Sequence, residues 1–281
     1  MVAITAQTMA DEIRRQQKLS TSITDLQAAI SSGKKLTKSS QDPQAWVQIS
    51  EIGRAQAQQG AWETNIAYGV ARAQKADTNL RDMSTLMTRA QELMVSARNA
   101  TLNDASRTAI ATELEGIRTS YNDLMNEKDY MGVPVFDVGS ATKIPVGKNY
   151  SVEAVPTQES LSQNIDVNGT PMTMDAILQN AVAAVTSGNV ANMTTAATAV
   201  TAAADHVTLA QTMQGVRADR LDKASERLKS VDLDLAERRS TLEDTDLSEA
   251  IMSQQQKSVS LQAAQVTYAK INQQTLFDLI R

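Results

Sequence analysis

The sequence contains no cysteine and few aromatic residues, and both absences restrict what the chain can be. Without cysteine, the chain has no disulfide, no thiolate nucleophile and no thiolate metal ligand. The single histidine, His206, has no second histidine or cysteine beside it to complete a metal site, so a partly exposed helix position is favoured over a metal ligand or a pH switch. Aromatic residues make up 3% of the chain, whereas hydrophobic residues make up 42%. This balance favours long helices packed side by side over a thick globular core.

A basic stripe, a membrane span and a secretory leader are missing as well. The net charge of −5 disfavours a nucleic-acid-binding protein, and the short cluster of Lys34, Lys35 and Lys38 is interpreted as a solvated loop. No run approaches the roughly 18 apolar residues of a membrane helix, so membrane insertion is not expected. Because Asp11 and Glu12 interrupt the first apolar residues, any export is expected to proceed without a cleaved signal peptide.

Motifs that carry chemistry are also absent from the sequence. It contains no glycine-rich phosphate loop of the usual spacing and no Gly-x-Ser-x-Gly elbow. Carboxylates such as Glu113 and Glu115 lie two positions apart on predicted helices, and they therefore point to different faces. We expect no enzyme activity, no catalytic residue, no cofactor and no bound metal.

The prolines divide the chain into helical and non-helical parts. Four of the five prolines lie between residues 134 and 171, so this window is predicted to be non-helical. It contains short β-prone runs at 133–136, 150–155 and Ile165–Val167. A short helix over Met174–Ser187 is predicted to close this β-rich insert.

Apolar residues recur at helical spacing on both sides of the insert. Near the start, Leu19, Ile23, Leu26 and Ile30 lie three or four positions apart and share one helix face, and Gly33 fits the helix end.

Longer helices are predicted over 44–100, 104–131 and 190–242. In the last of these, a leucine at every seventh position predicts a coiled-coil seam of Leu221, Leu228, Leu235 and Leu242.

The end of the chain is predicted to form another helix that needs a partner. Asp246 and Glu249 resemble a capping box that begins this helix, and its last residues are strongly apolar. The predicted fold is therefore mainly α, an elongated antiparallel helical hairpin or coiled-coil bundle with a small β-rich inserted outer domain. Apolar residues of the two terminal helices form the predicted subunit-assembly interface: Ile13, Leu19, Ile23, Leu26, Ile30, Leu247, Ile251, Leu261, Tyr268, Ile271, Leu276, Phe277 and Leu279.

Three stretches of the chain resemble a known bacterial family. LQAAISSGKKLTKSSQDPQAW at 26–46 is similar to the first helix and loop of flagellins and hook-associated proteins, and 88–117 resembles a signature that both groups share. The stretch LQAAQVTYAKINQQTLFDLI at 261–280 looks closest to the hook–filament junction group. Gln41 replaces an acidic residue of the family pattern, whereas the retained Pro43 also looks like the junction group.

The resemblance covers residues 1–135 and 205–281 and implies a structural role. It implies export by the flagellar type III apparatus, help from an export chaperone, and polymerisation with other copies or other flagellar axial proteins outside the cell. The implied division is an inner polymerisation region of 1–43 with 246–281, a long-helix region of 44–131 with 188–245, and the insert at 132–187. A junction subunit is favoured; the alternatives are a filament flagellin, an insert that binds a surface, and an insert that hosts a hydrolase.

Overall fold

The computed structural model describes residues 6–99 and 102–279, with side chains described for residues 9–99 and 102–270. These residues form seven helices and four strands: α1 (Ala6–Ser32), α2 (Pro43–Ala97), α3 (Asp104–Asn126), β1 (Lys143–Gly147), β2 (Tyr150–Glu153), α4 (Gln158–Ser162), β3 (Ile165–Val167), β4 (Thr170–Met172), α5 (Met174–Ser187), α6 (Val190–Glu243) and α7 (Leu247–Leu279). The predicted mainly helical fold with a small β-containing region is confirmed. Among the described helices, none combines the length and the hydropathy of a membrane span.

Local capping chemistry sets where the helices begin and end. Gly33 adopts a φ of +72° directly after α1, a left-handed conformation that costs glycine little. The Asp42 carboxylate accepts the backbone N–H groups of Gln44 and Ala45, each at 3.0 Å, while Pro43 occupies the first helical position of α2. Asn103 caps α3 in the same way, because its side chain accepts the N–H of Ser106 at 2.7 Å.

The strands form two antiparallel hairpins. β1 pairs with β2, with Ile144 opposite Val152, and β3 pairs with β4. Asn168 and Gly169, both at positive φ, form the two-residue turn between β3 and β4, as expected of an Asn-Gly hairpin.

Two sequence-based predictions near the start of the insert are wrong. The helix predicted over 104–131 ends at Asn126, because Glu127 is extended and the Asp129 carboxylate accepts the N–H groups of Met131 and Val133 in a tight loop. The predicted strand at 133–136 is not among the described strands.

The window between the prolines also contains a helix that the prolines were expected to exclude. Helix α4 (Gln158–Ser162) begins just after Pro156, and the Thr157 hydroxyl accepts the N–H of Ser160 at 3.2 Å. A proline before a helix start leaves its hydrogen bonds intact, so proline density alone does not exclude a short helix.

The chain forms two compact units. The terminal unit comprises Met1–Ala57 and Val231–Arg281, and the central unit comprises Gln58–Ser230. The three-part division implied by the resemblance stays a prediction, because the contacts within each compact unit do not show which parts of the chain take part in assembly.

The core of the central unit joins its helices and its two hairpins. Buried methionines of α2 pack with leucine and isoleucine side chains of α3, α5 and the strands, and Met83, Met87 and Met94 are fully buried. These methionines therefore fill a core and do not line an open groove. Gly69 lets α2 approach α6, since a Cβ at this position would lie 3.1 Å from Leu221 Cδ2.

A buried ion pair fixes the loop after α3 to α2. Arg72 Nη2 donates to Asp137 Oδ1 at 3.0 Å and to the carbonyl oxygen of Pro134 at 3.1 Å. The same carboxylate accepts the Thr142 hydroxyl at 2.9 Å and the Thr142 N–H at 2.6 Å. The side chains of Arg72 and Asp137 are only 7% and 6% exposed. If one of them were removed, little water could reach the remaining charge and solvate it.

Candidate assembly surface

Helices α1 and α7 of the terminal unit pack along each other. Lys257 Nζ on α7 donates a hydrogen bond to Ser22 Oγ on α1 at 2.6 Å. The backbone of Lys34, just after α1, forms an isolated antiparallel β-bridge with that of Asp244, just before α7. Residue numbers fall on one helix as they rise on the other, so the two helices run antiparallel. This pairing agrees with the hairpin that the apolar spacing predicted.

A network of hydrogen bonds ties the end of α1 to the end of α6. Lys34 Nζ lies 2.6 Å from Glu243 Oε1, and Arg239 Nε lies 2.8 Å from Glu243 Oε2. The backbone N–H of Lys35 donates to the carbonyl oxygen of Glu243, and the N–H of Thr245 donates to that of Gly33. The interpretation of these lysines as a solvated loop is therefore wrong for Lys34, which pairs with a largely buried carboxylate.

This network predicts an acid-sensitive step in the stability of the terminal unit. The hydrogen bond from Lys34, followed by that from Arg239, lowers the pKa of Glu243 below its ordinary value of 4.5. Since the pKa is lower in the folded chain, the stabilisation is present above about pH 4.5 and is lost as the pH falls through the folded value. We expect Glu243→Gln to lower the urea midpoint modestly near neutral pH and to match the unsubstituted chain in acid. The effect is modest because the Lys34 side chain is 44% exposed.

The matched control for this prediction is Glu237→Gln. Glu237 is exposed and has no ion-pair partner within the part of the chain that the structure describes. Its midpoint should follow that of the unsubstituted chain at every pH. If the urea midpoints of Glu243→Gln and the unsubstituted chain differed by the same amount at neutral and at acidic pH, the prediction would be contradicted.

The structure places the predicted interface residues in two environments. Leu19, Ile23, Leu26 and Ile30 are half-buried on α1, whose packing partner is α7. On the two helices, three predicted residues are more exposed, namely Ile13 (43%), Leu247 (48%) and Ile251 (42%). Leu261 and Tyr268 are half-buried, and the side chains of Ile271, Leu276, Phe277 and Leu279 lie outside the described residues. Their role in assembly stays a prediction.

The predicted leucine seam is likewise divided. Leu221 and Leu228 are buried in the central unit, whereas Leu235 and Leu242 are half-buried in the terminal unit. There they line, with Ile52, a groove of about 520 Å³ between the start of α2 and the end of α6.

An exposed apolar stripe on α7 was not predicted from the sequence. Met252, Val259 and Val266 are 68%, 66% and 57% exposed and lie seven positions apart, so they form one line along the helix. Lys257, which contacts Ser22 of α1, precedes Val259 by two positions, or about 200° of helical rotation. The stripe therefore faces away from α1. Its seven-residue spacing was visible in the sequence, but the stronger pattern of Leu247, Leu261 and Tyr268 on the same helix masked it.

The comparisons with known proteins agree with this geometry. Residues 4–141 match the bacterial flagellin N-terminal helical region. Flagellar hook-associated protein 3 of Escherichia coli (strain K12) is 29% identical over 161 residues, which cover 55% of this chain and 50% of that protein. The first half of this chain is therefore similar to the helical start of bacterial flagellins.

Two further relatives show how widely the likeness extends. Secreted flagellin C of Campylobacter jejuni is 32% identical over 118 residues, or 40% of this chain and 47% of that protein. The crystal structure of the flagellar junction protein FlgL from Legionella pneumophila superposes with a TM-score of 0.58 at 12% identity, covering 70% of this chain and 100% of that one, and this likeness shows the fold alone. The chain spans about half the length of the curated relatives it matches.

The flagellin-like stretches have clear structural roles in this chain. The Ser-Ser-Gly-Lys segment ends α1 and supplies Lys34 to the carboxylate of Glu243. The stretch 88–117 forms the end of α2 and most of α3, both inside the matched range. Among the described residues, no three histidine, aspartate or glutamate side chains lie close enough together to hold a metal ion.

Proposed function

We propose that this chain is a structural subunit of the bacterial flagellum that polymerises through its paired terminal helices, at the junction between hook and filament. The observation that carries the proposal is the exposed stripe of Met252, Val259 and Val266 on the face of α7 opposite α1. Apolar side chains in a regular line on an exposed face of a helix are typical of a surface that another helix covers.

The partial burial of the α1–α7 pair supports the same conclusion. The apolar residues of α1 are only half-buried, so a two-helix pair leaves much of its apolar surface in contact with water. Packing of further copies against the pair would remove this surface, and the ordering of the helices would then be coupled to assembly. A surface that contacts a different surface on the next copy generates an open helical array when the rotation between copies does not close a ring.

A position at the junction is favoured over the filament. The likeness to hook-associated protein 3 extends over 55% of the chain, whereas the likeness to secreted flagellin C extends over 40%. The proposed partners are other copies of this chain, neighbouring axial proteins and an export chaperone, and the proposed location is outside the cell. The chain has a structural role without catalysis or a cofactor.

Immuno-electron microscopy of flagella from the bacterium that makes the chain tests this proposal. We expect label in a narrow band at the far end of the hook. Label along the whole filament would instead support the alternative of a filament flagellin. Absence of label from intact flagella, with the chain detected elsewhere in the culture, would overturn both.

A further inference from the structure

A groove of the central unit carries an excess of basic side chains, with one carboxylate, that of Glu153, among its lining residues. It lies between α6 and the hairpin of β1 and β2, has a volume of about 620 Å³, and is lined by Lys143, Arg217 and Arg220 together with the exposed Met213. Arg217 is half-buried, and this burial lowers the pKa of its guanidinium. Within the described residues, no carboxylate lies at ion-pairing distance from any of the three cations. Glu153 interacts electrostatically with Arg217, but one carboxylate does not balance three cations, and a ligand with further negative charge would offset the remaining positive charge.

A second groove of the same unit has the opposite charge. It lies between α2 and α3, has a volume of about 600 Å³, and is lined by Asp82, Asp123 and Glu127 around an apolar floor that includes Leu124. Glu127 already accepts hydrogen bonds from Lys75 and Asn79. In the described part of the chain, Asp82 and Asp123 have neither an ion pair nor a hydrogen bond from their side chains.

The two grooves lie at different levels along α2. Two contacts align α6 with α2: Gln214 donates a hydrogen bond to the carbonyl oxygen of Ala73, and Leu221 lies beside Gly69. Arg217 lies between Gln214 and Leu221 on α6, so it is about level with residue 71 of α2. Asp82 lies eleven positions further along the helix, or roughly 16 Å at 1.5 Å per residue. The grooves share no residue, so a contact between them joins different surfaces of two copies and can repeat from one copy to the next.

We propose that the basic groove binds the acidic groove of a second copy of this chain. Charge complementarity identifies the occupant: the basic groove has an excess of positive charge, and the same unit presents Asp82 and Asp123, which form no ion pair within the described residues. Met213 and Val216 of the basic groove are exposed, and the contact would remove part of their apolar surface from water. The inference rests on the proposed function, since it specifies one contact between neighbouring subunits.

Reciprocal charge reversal tests this contact in a strain that lacks the native chain. Lys143→Glu with Arg220→Glu reverses exposed members of the basic groove, and Asp82→Lys with Asp123→Lys reverses the acidic one. We expect each double variant to reduce the amount of chain in sheared, washed flagella about tenfold or more, because like charges then face each other. A chain that carries all four substitutions should recover most of the incorporation, since the charges are again complementary.

A matched control and a stability measurement separate this contact from general effects. Arg227→Glu with Lys229→Glu changes the same number of charges at exposed positions of α6 outside the groove and should leave incorporation unchanged. Arg217→Gln should reduce incorporation while the melting temperature changes little, because this half-buried guanidinium makes no hydrogen bond or ion pair within 4.0 Å among the described residues.

The outcomes distinguish this inference from the proposed function. If the unsubstituted chain is absent from flagella, the proposed function fails. If that chain is incorporated and the double variants are incorporated equally well, or the fourfold variant stays excluded, the groove contact is wrong. Binding of the unsubstituted chain to immobilised heparin, lost in Lys143→Glu with Arg220→Glu while assembly persists, would assign the basic groove to an acidic polysaccharide and also overturn the contact.

Discussion

Deletion of residues 247–281 is expected to abolish incorporation of the chain into flagella and to leave the central unit folded. The deletion removes α7 and its exposed stripe, and it leaves α1 without its packing partner. The large buried core of the central unit extends from Ile66 to Leu228, so none of its residues is lost. Immunoblots of sheared flagella measure incorporation, and thermal unfolding followed by circular dichroism measures the fold. Deletion of residues 1–40 should have the same effect.

A smaller change tests the stripe itself. We expect Met252→Gln, Val259→Gln and Val266→Gln together to prevent incorporation, although glutamine is a good helix former and the three positions are exposed. Burial of each side chain at an interface contributes about 1–2 kcal/mol, so the three together weaken association by about two to four orders of magnitude. Swarming in soft agar gives a second measurement of the same loss.

Substitutions on the same helix provide the control for the stripe. Gln255→Ala, Gln262→Ala and Thr267→Ala change three exposed polar positions of α7 outside the stripe and should leave incorporation intact. Normal incorporation of the glutamine variant, or equal losses in both triple variants, would show that the stripe is not the assembly surface.

Elements with local signals at both ends were predicted well from the sequence. Helix α5 was predicted over Met174–Ser187 and occupies those residues, because the Thr173 side chain caps its start and Gly188 at a φ of 65° ends it. Strand β3 was also predicted correctly, since the Asn-Gly turn after it fixes the hairpin. Where neighbouring residues in the sequence determine the conformation, the spacing of apolar residues and the capping or turn residues are sufficient to predict the element.

Features that depend on distant residues could not be predicted in this way. Residues 133–136 have the composition of a strand, yet their surroundings are fixed by Arg72 on α2, whose guanidinium bonds Pro134 and Asp137. Arg72 and Asp137 lie 65 positions apart, and no periodicity connects them. The half-burial of Arg217 could not be predicted either, because the sequence of α6 does not reveal that β2 lies beside this residue.

The terminal helices show a further feature that the spacing of apolar residues does not determine. Two apolar lines run along α7, and sequence spacing alone does not determine which line α1 covers. Packing shows that Leu261 and Tyr268 are half-buried, whereas Val259 and Val266 remain exposed. The predicted binding role of the insert at 132–187 stays a prediction.

Asp137→Ala is expected to give the largest loss of stability among single substitutions in the central unit. It leaves Arg72 buried without its carboxylate and removes the acceptor of the Thr142 N–H and hydroxyl groups. Removal of one partner of a buried ion pair costs about 3–5 kcal/mol. For a unit of this size, that cost lowers the melting temperature by about 6–20 °C. Differential scanning calorimetry of the full chain measures the shift.

Two comparisons determine whether the buried charge causes this loss. Arg72→Met with Asp137→Leu removes both charges, and it should lose less stability than Asp137→Ala because no unpaired charge stays buried. Arg81→Ala breaks an exposed ion pair with Asp77 on the same helix and should leave the melting temperature nearly unchanged. If the double substitution is as destabilising as Asp137→Ala, lost hydrogen bonds to Thr142 and Pro134 dominate, and the account based on the unpaired Arg72 charge is wrong.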